Sequence, residues 1–257
     1  MAKRPREFVR VSGPEAASYL ERMVSNEVET LDLDGACEAL LLTAKGRVIA
    51  PLVVWRRGPD DFLLLTEPGL GERVTAELRR SRFATKAEIE PEEHESLLVL
   101  GGREGIPTRD YGVEAVEVLD TPPPEGADTV GGDELELLRI RARTPRVARE
   151  LDDRVLPAEA GLDARAISFT KGCYPGQEPV ARLHYRGRAN RGLRVLELEG
   201  EELPEYDAEL ELDGKVVGRI TSAARDDGRV VALAYVRREV EPAAELRWGE
   251  ARARQIG

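Results

Sequence analysis

Lys171-Gly172-Cys173-Tyr174-Pro175-Gly176-Gln177-Glu178 runs directly into Pro179-Val180-Ala181-Arg182. Glycines at 172 and 176 permit a tight backbone around Cys173. Pro179 suits the first turn of a helix beginning near Gln177, where its missing N–H has no partner to lose. Cys173 then lies just ahead of a helix N-terminus and two residues from Lys171. Both features favour thiolate over thiol, the condition for nucleophilic or metal-binding behaviour. The plainer alternative is that Cys173 is a small buried hydrophobe. Cys37 sits among Ala36, Ala39, Leu40 and Leu41 in an apolar strand and reads as core.

Downstream, five arginines lie between Arg182 and Arg194, with His184, Tyr185 and Asn190 among them. The run reads either as a solvated edge between domains or as an anion site, since arginine binds carboxylates and phosphates with paired N–H bonds. His184 is no base for Cys173: a helix from about Gln177 separates them by roughly 10 Å at ~1.5 Å per residue. The other histidine, His94, stands in an acidic Glu-Glu-His-Glu run and reads as a solvated loop residue. No C-x-x-C or paired-histidine motif occurs, so a metal site held by this chain alone is not expected. Gly69-Leu70-Gly71 lacks the third glycine of a dinucleotide fingerprint, and no phosphate-binding P-loop is present.

The wider pattern is mixed. Glu7–Val11 predicts a strand, followed by a helix opened by Pro14 and running to about Met23. Strands are expected at 36–43, 47–55, 62–66, 84–89, 97–100 and 113–119. Helices are expected at 68–80 and 133–142, with an exposed loop at 121–132. Strands interrupted by single helices, without a βαβ rhythm, indicate an α+β class. After about Arg188 the pattern changes to short strands at 193–198, 210–212, 216–221, 230–236 and near 246–248. Asp213-Gly214 and Asp227-Gly228 supply hairpin turns, and closely spaced strands of this kind predict a small β-barrel or sandwich. The expected domains are therefore 1–187 and 188–257.

At 257 residues, 41% hydrophobic, the chain can bury a core without a disulfide or metal staple. Two cysteines are not a secreted disulfide framework. The basic N-terminus leads into no apolar stretch and no run could span a bilayer, so a cytoplasmic protein without membrane contact is expected. A net charge of −11 weighs against broad nucleic-acid binding, although one local basic contact stays open. Direct binding of nucleic acid is not expected.

Residues 171–178 resemble the YgfZ signature K-G-C-[FY]-x-G-Q-E at every fixed position. The resemblance extends over nearly the whole chain: Val9 to Asn26 with Ser12-Gly13-Pro14 and Ser25-Asn26, then Leu156-Pro157 with Glu159 to Leu162, then Gly218–Thr221 and Val231–Val236. It implies aminomethyltransferase-like folate-binding lobes around a central opening, followed by the C-terminal β-barrel. It further implies a tetrahydrofolate or one-carbon derivative as cofactor and a role beside iron–sulfur client enzymes, including ones that modify tRNA. Such a protein is an accessory factor rather than a conventional enzyme. The resemblance makes Cys173 the reactive thiol and places Lys171, Tyr174, Gly176, Gln177, Glu178, Arg182 and Arg186 at the folate. Either a folate glutamyl tail or an RNA backbone would suit the arginine run.

Two departures bear on activity. Where true aminomethyltransferases end a strand in two aspartates, this chain has Ala50-Pro51, which can neither hold nor move a proton. Where relatives carry a glutamate for the pterin, Arg139-Ile140-Arg141-Ala142 presents Arg141, with Glu150 and Glu159 the nearest substitutes. The alternative reading is a folate-dependent one-carbon transferase with a different acceptor.

Overall fold

The computed structural model describes residues 1–152 and 154–256. Its strands are β1 (Ala2–Lys3), β2 (Glu7–Ser12), β3 (Ala36–Leu42), β4 (Val48–Gly58), β5 (Asp61–Thr66), β6 (Glu88–Glu92), β7 (Ser96–Leu100), β8 (Ile106–Thr108) and β9 (Ala115–Leu119) in the first part of the chain. β10 (Arg191–Leu198), β11 (Glu209–Leu212), β12 (Lys215–Asp226), β13 (Arg229–Arg237), β14 (Leu246–Trp248) and β15 (Ala251–Gln255) follow. The helices are α1 (Ala16–Met23), α2 (Gly71–Ser81), α3 (Gly132–Arg141), α4 (Asp163–Ala166) and α5 (Gln177–Arg186).

β3-β4-β5-β2-β6 form an antiparallel sheet with α1 and α2 on one face. Phe62 and Leu64 of β5 point to that helical face, while Leu63 and Leu65 join Phe8, Val53 and Ile106 on the other. Both faces are therefore covered, which is why β5 reads as an unbroken apolar run rather than an alternation. The second sheet, β1-β7-β9-β8, supplies Ile106 to that shared layer.

The last six strands close into a barrel, ordered β10-β13-β12-β11-β14-β15 and sealed by pairing of β10 with β15. Parity along β13 shows how it is mounted. Val230, Ala232, Ala234 and Val236 fill the barrel, while Val231, Leu233 and Tyr235 pack with Leu40, Val48, Ile140 and Tyr174 of the preceding part. A strand buried on both sides fastens the barrel to the preceding lobes by the same hydrophobic effect that fills it.

Several expected elements shift. α1 starts at Ala16, because Pro14-Glu15 forms a turn before it. The strand expected at 84–89 is β6, starting at Glu88; it is an edge strand, where Pro91 needs no ladder N–H. β15 carries no apolar run, since Ala253 alone among its residues is fully buried. Among the described residues, no helix is long and apolar enough to cross a membrane.

Candidate functional site

The signature loop is held by the segment following α1. Ser25 donates through Oγ to the Ala166 carbonyl (2.6 Å) and accepts from the Leu40 amide (2.8 Å). Ser168 donates to Glu27 Oε1 (2.8 Å) and accepts from the Lys171 amide (3.2 Å). The Lys171 ammonium donates to the carbonyls of Val24 (3.0 Å) and Asn26 (2.6 Å) and lies 3.2 Å from Glu21. An ammonium has three N–H donors, and these three partners use them all. Lys171 therefore ties the loop to α1, and Cys173 is not among the partners of its ammonium.

Gly176 is the residue before α5 and has φ +82°. A Cβ there would stand 2.4 Å from the Thr43 carbonyl oxygen and 3.0 Å from the Gly46 Cα. Gly46, with φ +72°, meets Pro179 in turn. The two glycine turns pack backbone to backbone, so α5 begins where β3 and β4 turn over. Cys173 is exposed four residues ahead of that start. Tyr174 is buried, its hydroxyl has no partner, and burial pushes its pKa up to about 12. Cys37 is half-buried rather than fully core; its thiol lies 3.4 Å from the Glu27 carbonyl and burial raises it to about 12.

On α5, Gln177 is half-buried and Glu178, Arg182 and Arg186 are exposed. His184 stacks on Phe169 with centroids 3.7 Å apart, at a place set by the helix rather than by Cys173. The arginine run does not converge: Arg191 binds Glu159, Arg194 donates to the Arg237 carbonyl, and Arg182 and Arg186 lie on the helix surface. His94 is not a free loop residue. Its ring nitrogens lie 2.6 Å from Asp120 and 2.7 Å from Glu92, and Phe8 packs against its ring.

A recess with an apolar floor and charged walls lies elsewhere. A cavity of about 440 Å³ is floored by Leu40, Pro51, Leu52, Val53, Leu151 and Leu162 and walled by Arg4, Arg6, Glu38, Glu67, Asp110, Thr144, Arg146 and Arg165. None of Lys171, Tyr174, Gly176, Gln177, Glu178, Arg182 and Arg186 lines it. Lys171 is committed to α1, Tyr174 to the core, and the α5 side chains to the outer surface. The signature builds the frame, and other residues line the cavity.

The wall residues were hidden in the sequence because they come from six segments far apart in the chain. Asp110 pairs with Arg4 and Arg165, the latter at 3.1 Å; burial alone would raise its carboxyl, but Arg4, Arg6 and Arg165 together hold it at about 2. Glu38 sits 2.9 Å from Arg165, and burial raises its pKa. Burial also raises Glu67, partly offset by the Val147 amide and by Arg6 and Arg146. Thr144 Oγ1 is buried without a partner. Glu150 and Glu159 are not pterin substitutes. Glu150 is fully buried and binds Arg139, the Arg146 amide and Ser222, while Glu159 binds Arg191 and the Leu156 amide. Arg141 leaves the cavity and pairs with Asp226 of the barrel.

Superposed on the glycine cleavage system aminomethyltransferase T from Bartonella henselae, the chain gives a TM-score of 0.84 at 19% identity, over 99% of this chain and 84% of that one. The fold is that of the aminomethyltransferases. Two proteins named tRNA-modifying protein YgfZ, from Shigella dysenteriae serotype 1 and Escherichia coli O157:H7, are each 26% identical over 272 residues, covering 90% of this chain and 83% of theirs. An uncharacterized protein of Haemophilus influenzae is also 26% identical, over 94% of this chain and 90% of its own. No protein-family model matches the chain. The resemblance to the YgfZ proteins is thus borne out along almost the entire chain. On the aminomethyltransferase frame, Pro51 of β4 faces the cavity, and Ala50 beside it is fully buried.

Proposed function

We propose that this protein binds a reduced folate, tetrahydrofolate or a one-carbon derivative, in the 440 Å³ cavity and acts as a cytoplasmic accessory factor for iron–sulfur client enzymes, tRNA-modifying ones among them. The observation that carries this reading is the cavity itself, with an apolar floor that includes Pro51 and with charged walls. Its volume falls within the ~300–1,000 Å³ usual for small-molecule sites. The apolar floor suits flat rings, and half-exposed Arg146 offers a guanidinium to a glutamyl carboxylate. A bound folate supplies a one-carbon carrier.

Pro51 offers no proton acceptor where an aminomethyltransferase has its aspartates, so the acid pair of glycine cleavage is missing at that position. The protein should show no turnover of an aminomethyl-loaded carrier. Exposed Cys173 provides one thiolate ligand or nucleophile on the outer surface, and the client completes any cluster site. Calorimetry with 5-formyltetrahydrofolate tests the binding: saturable heat is expected, and no heat or thermal shift at excess ligand would remove folate from the account. The client role is tested by Cys173→Ala in cells lacking the protein, which should fail to restore iron–sulfur enzyme activity.

One observation favours the second reading, a one-carbon transferase with another acceptor. Glu38 and Glu67 both face the cavity with pKa values raised by burial, as acid–base catalysts often have. Turnover of methylene- or formyl-tetrahydrofolate by pure protein would decide for it.

A further inference from the structure

Three carboxylates line the cavity, and two of them are already committed. Asp110 is held by arginines 4 and 165, with Arg6 at 3.8 Å, and Glu38 is held by Arg165. Glu67 makes no ion pair among the described residues. Its two oxygens share a single donor, the Val147 amide, at 3.2 and 3.1 Å. A carboxylate has about four acceptor positions, so one shared N–H leaves most of them open. A half-buried carboxylate left this way costs stability unless a ligand completes it.

The backbone around Glu67 is fixed. Thr66 donates through Oγ1 to the Pro51 carbonyl (3.0 Å), and the amides of Gly69 and Gly71 donate to Glu7 at 2.8 and 2.5 Å. Val147 belongs to the same Thr144–Val147 wall whose Thr144 hydroxyl is buried without a partner. An anchored acceptor with free lone pairs thus faces an apolar-floored cavity.

We infer that Glu67 is the ligand-recognising carboxylate of this cavity, receiving two adjacent N–H donors from a cyclic guanidine edge such as the 2-amino-4-oxo ring of a reduced pterin. The inference rests on the folate reading above. It moves the carboxylate from the α3 position, where Arg141 turns away to the barrel, to the end of β5. A carboxylate meeting two parallel N–H groups is a strong, geometrically selective pair.

Calorimetry with two ligands tests it. 5-Formyltetrahydrofolate carries the pterin, and p-aminobenzoylglutamate is the tail without it. Glu67→Gln should weaken the first at least tenfold and leave the second unchanged. Glu67→Asp should fall between, and Glu38→Gln should not reproduce the selective loss. Thermal denaturation of each variant separates misfolding from lost recognition. Wild-type protein that binds folate while Glu67→Gln binds it equally well, or loses both ligands alike, overturns the assignment of Glu67. Wild-type protein that binds no folate overturns the folate reading and this assignment with it.

Discussion

The Lys171 ammonium stands 3.2 Å from the Glu21 carboxylate, with only 1% of the lysine side chain exposed. Burial lowers the Lys171 pKa and the Glu21 pairing opposes that fall. Removing one member of a buried pair costs about 3 kcal/mol or more, because the other charge is left without compensation. Lys171→Met should therefore lower the unfolding free energy by about 3 kcal/mol in urea titrations. The Cys173 alkylation rate against pH should stay unchanged, since the ammonium is already saturated. A shifted alkylation profile with unchanged stability would reverse that reading.

Gly176 is the tightest position in the signature. A side chain there needs a positive φ and must displace the Thr43 carbonyl or the Gly46 turn. Left-handed strain alone costs ~1–3 kcal/mol for a non-glycine residue, and the 2.4 Å approach adds to it. Gly176→Ala should lose at least 2–3 kcal/mol in the same titrations, roughly the strain cost alone. Gly172→Ala, in open space, should lose far less.

The two thiols should separate cleanly. Cys37 is half-buried with its pKa pushed up to about 12, so little thiolate forms at pH 8. Cys173 is exposed. A thiol reagent at pH 8 should titrate one fast group per native chain, absent in Cys173→Ala and retained in Cys37→Ala. Cys173→Ala should melt with the wild-type protein. Two equally fast thiols would place Cys37 at the surface.

Acid stability should report on Asp110. Its folded pKa of about 2 lies below the ~3.9 of an unfolded aspartate. The stabilisation is full above about pH 4 and drains as pH falls toward 2, amounting to roughly 2–3 kcal/mol. The stability gap between wild type and Asp110→Asn should narrow over that window. A gap constant from pH 5 to pH 2 would remove Asp110 as its source.

What the sequence by itself determined is local and periodic. Val230–Val236 announced a strand, Pro179 a helix start and 171–178 a family likeness, because side-chain period, proline geometry and a short motif are properties of neighbours in the chain. Ala50-Pro51 was equally legible, since a missing acid needs no fold to be missing. Only the tertiary structure decided what those residues touch. It tied Lys171 to Glu21, sent Arg141 to Asp226, and exposed Glu67 to a cavity shared with Arg4 and Thr144. Partners among those residues are up to 150 positions apart, as Lys171 and Glu21 show. A cavity wall is assembled across sheets and loops, so no periodicity or spacing along the chain records it.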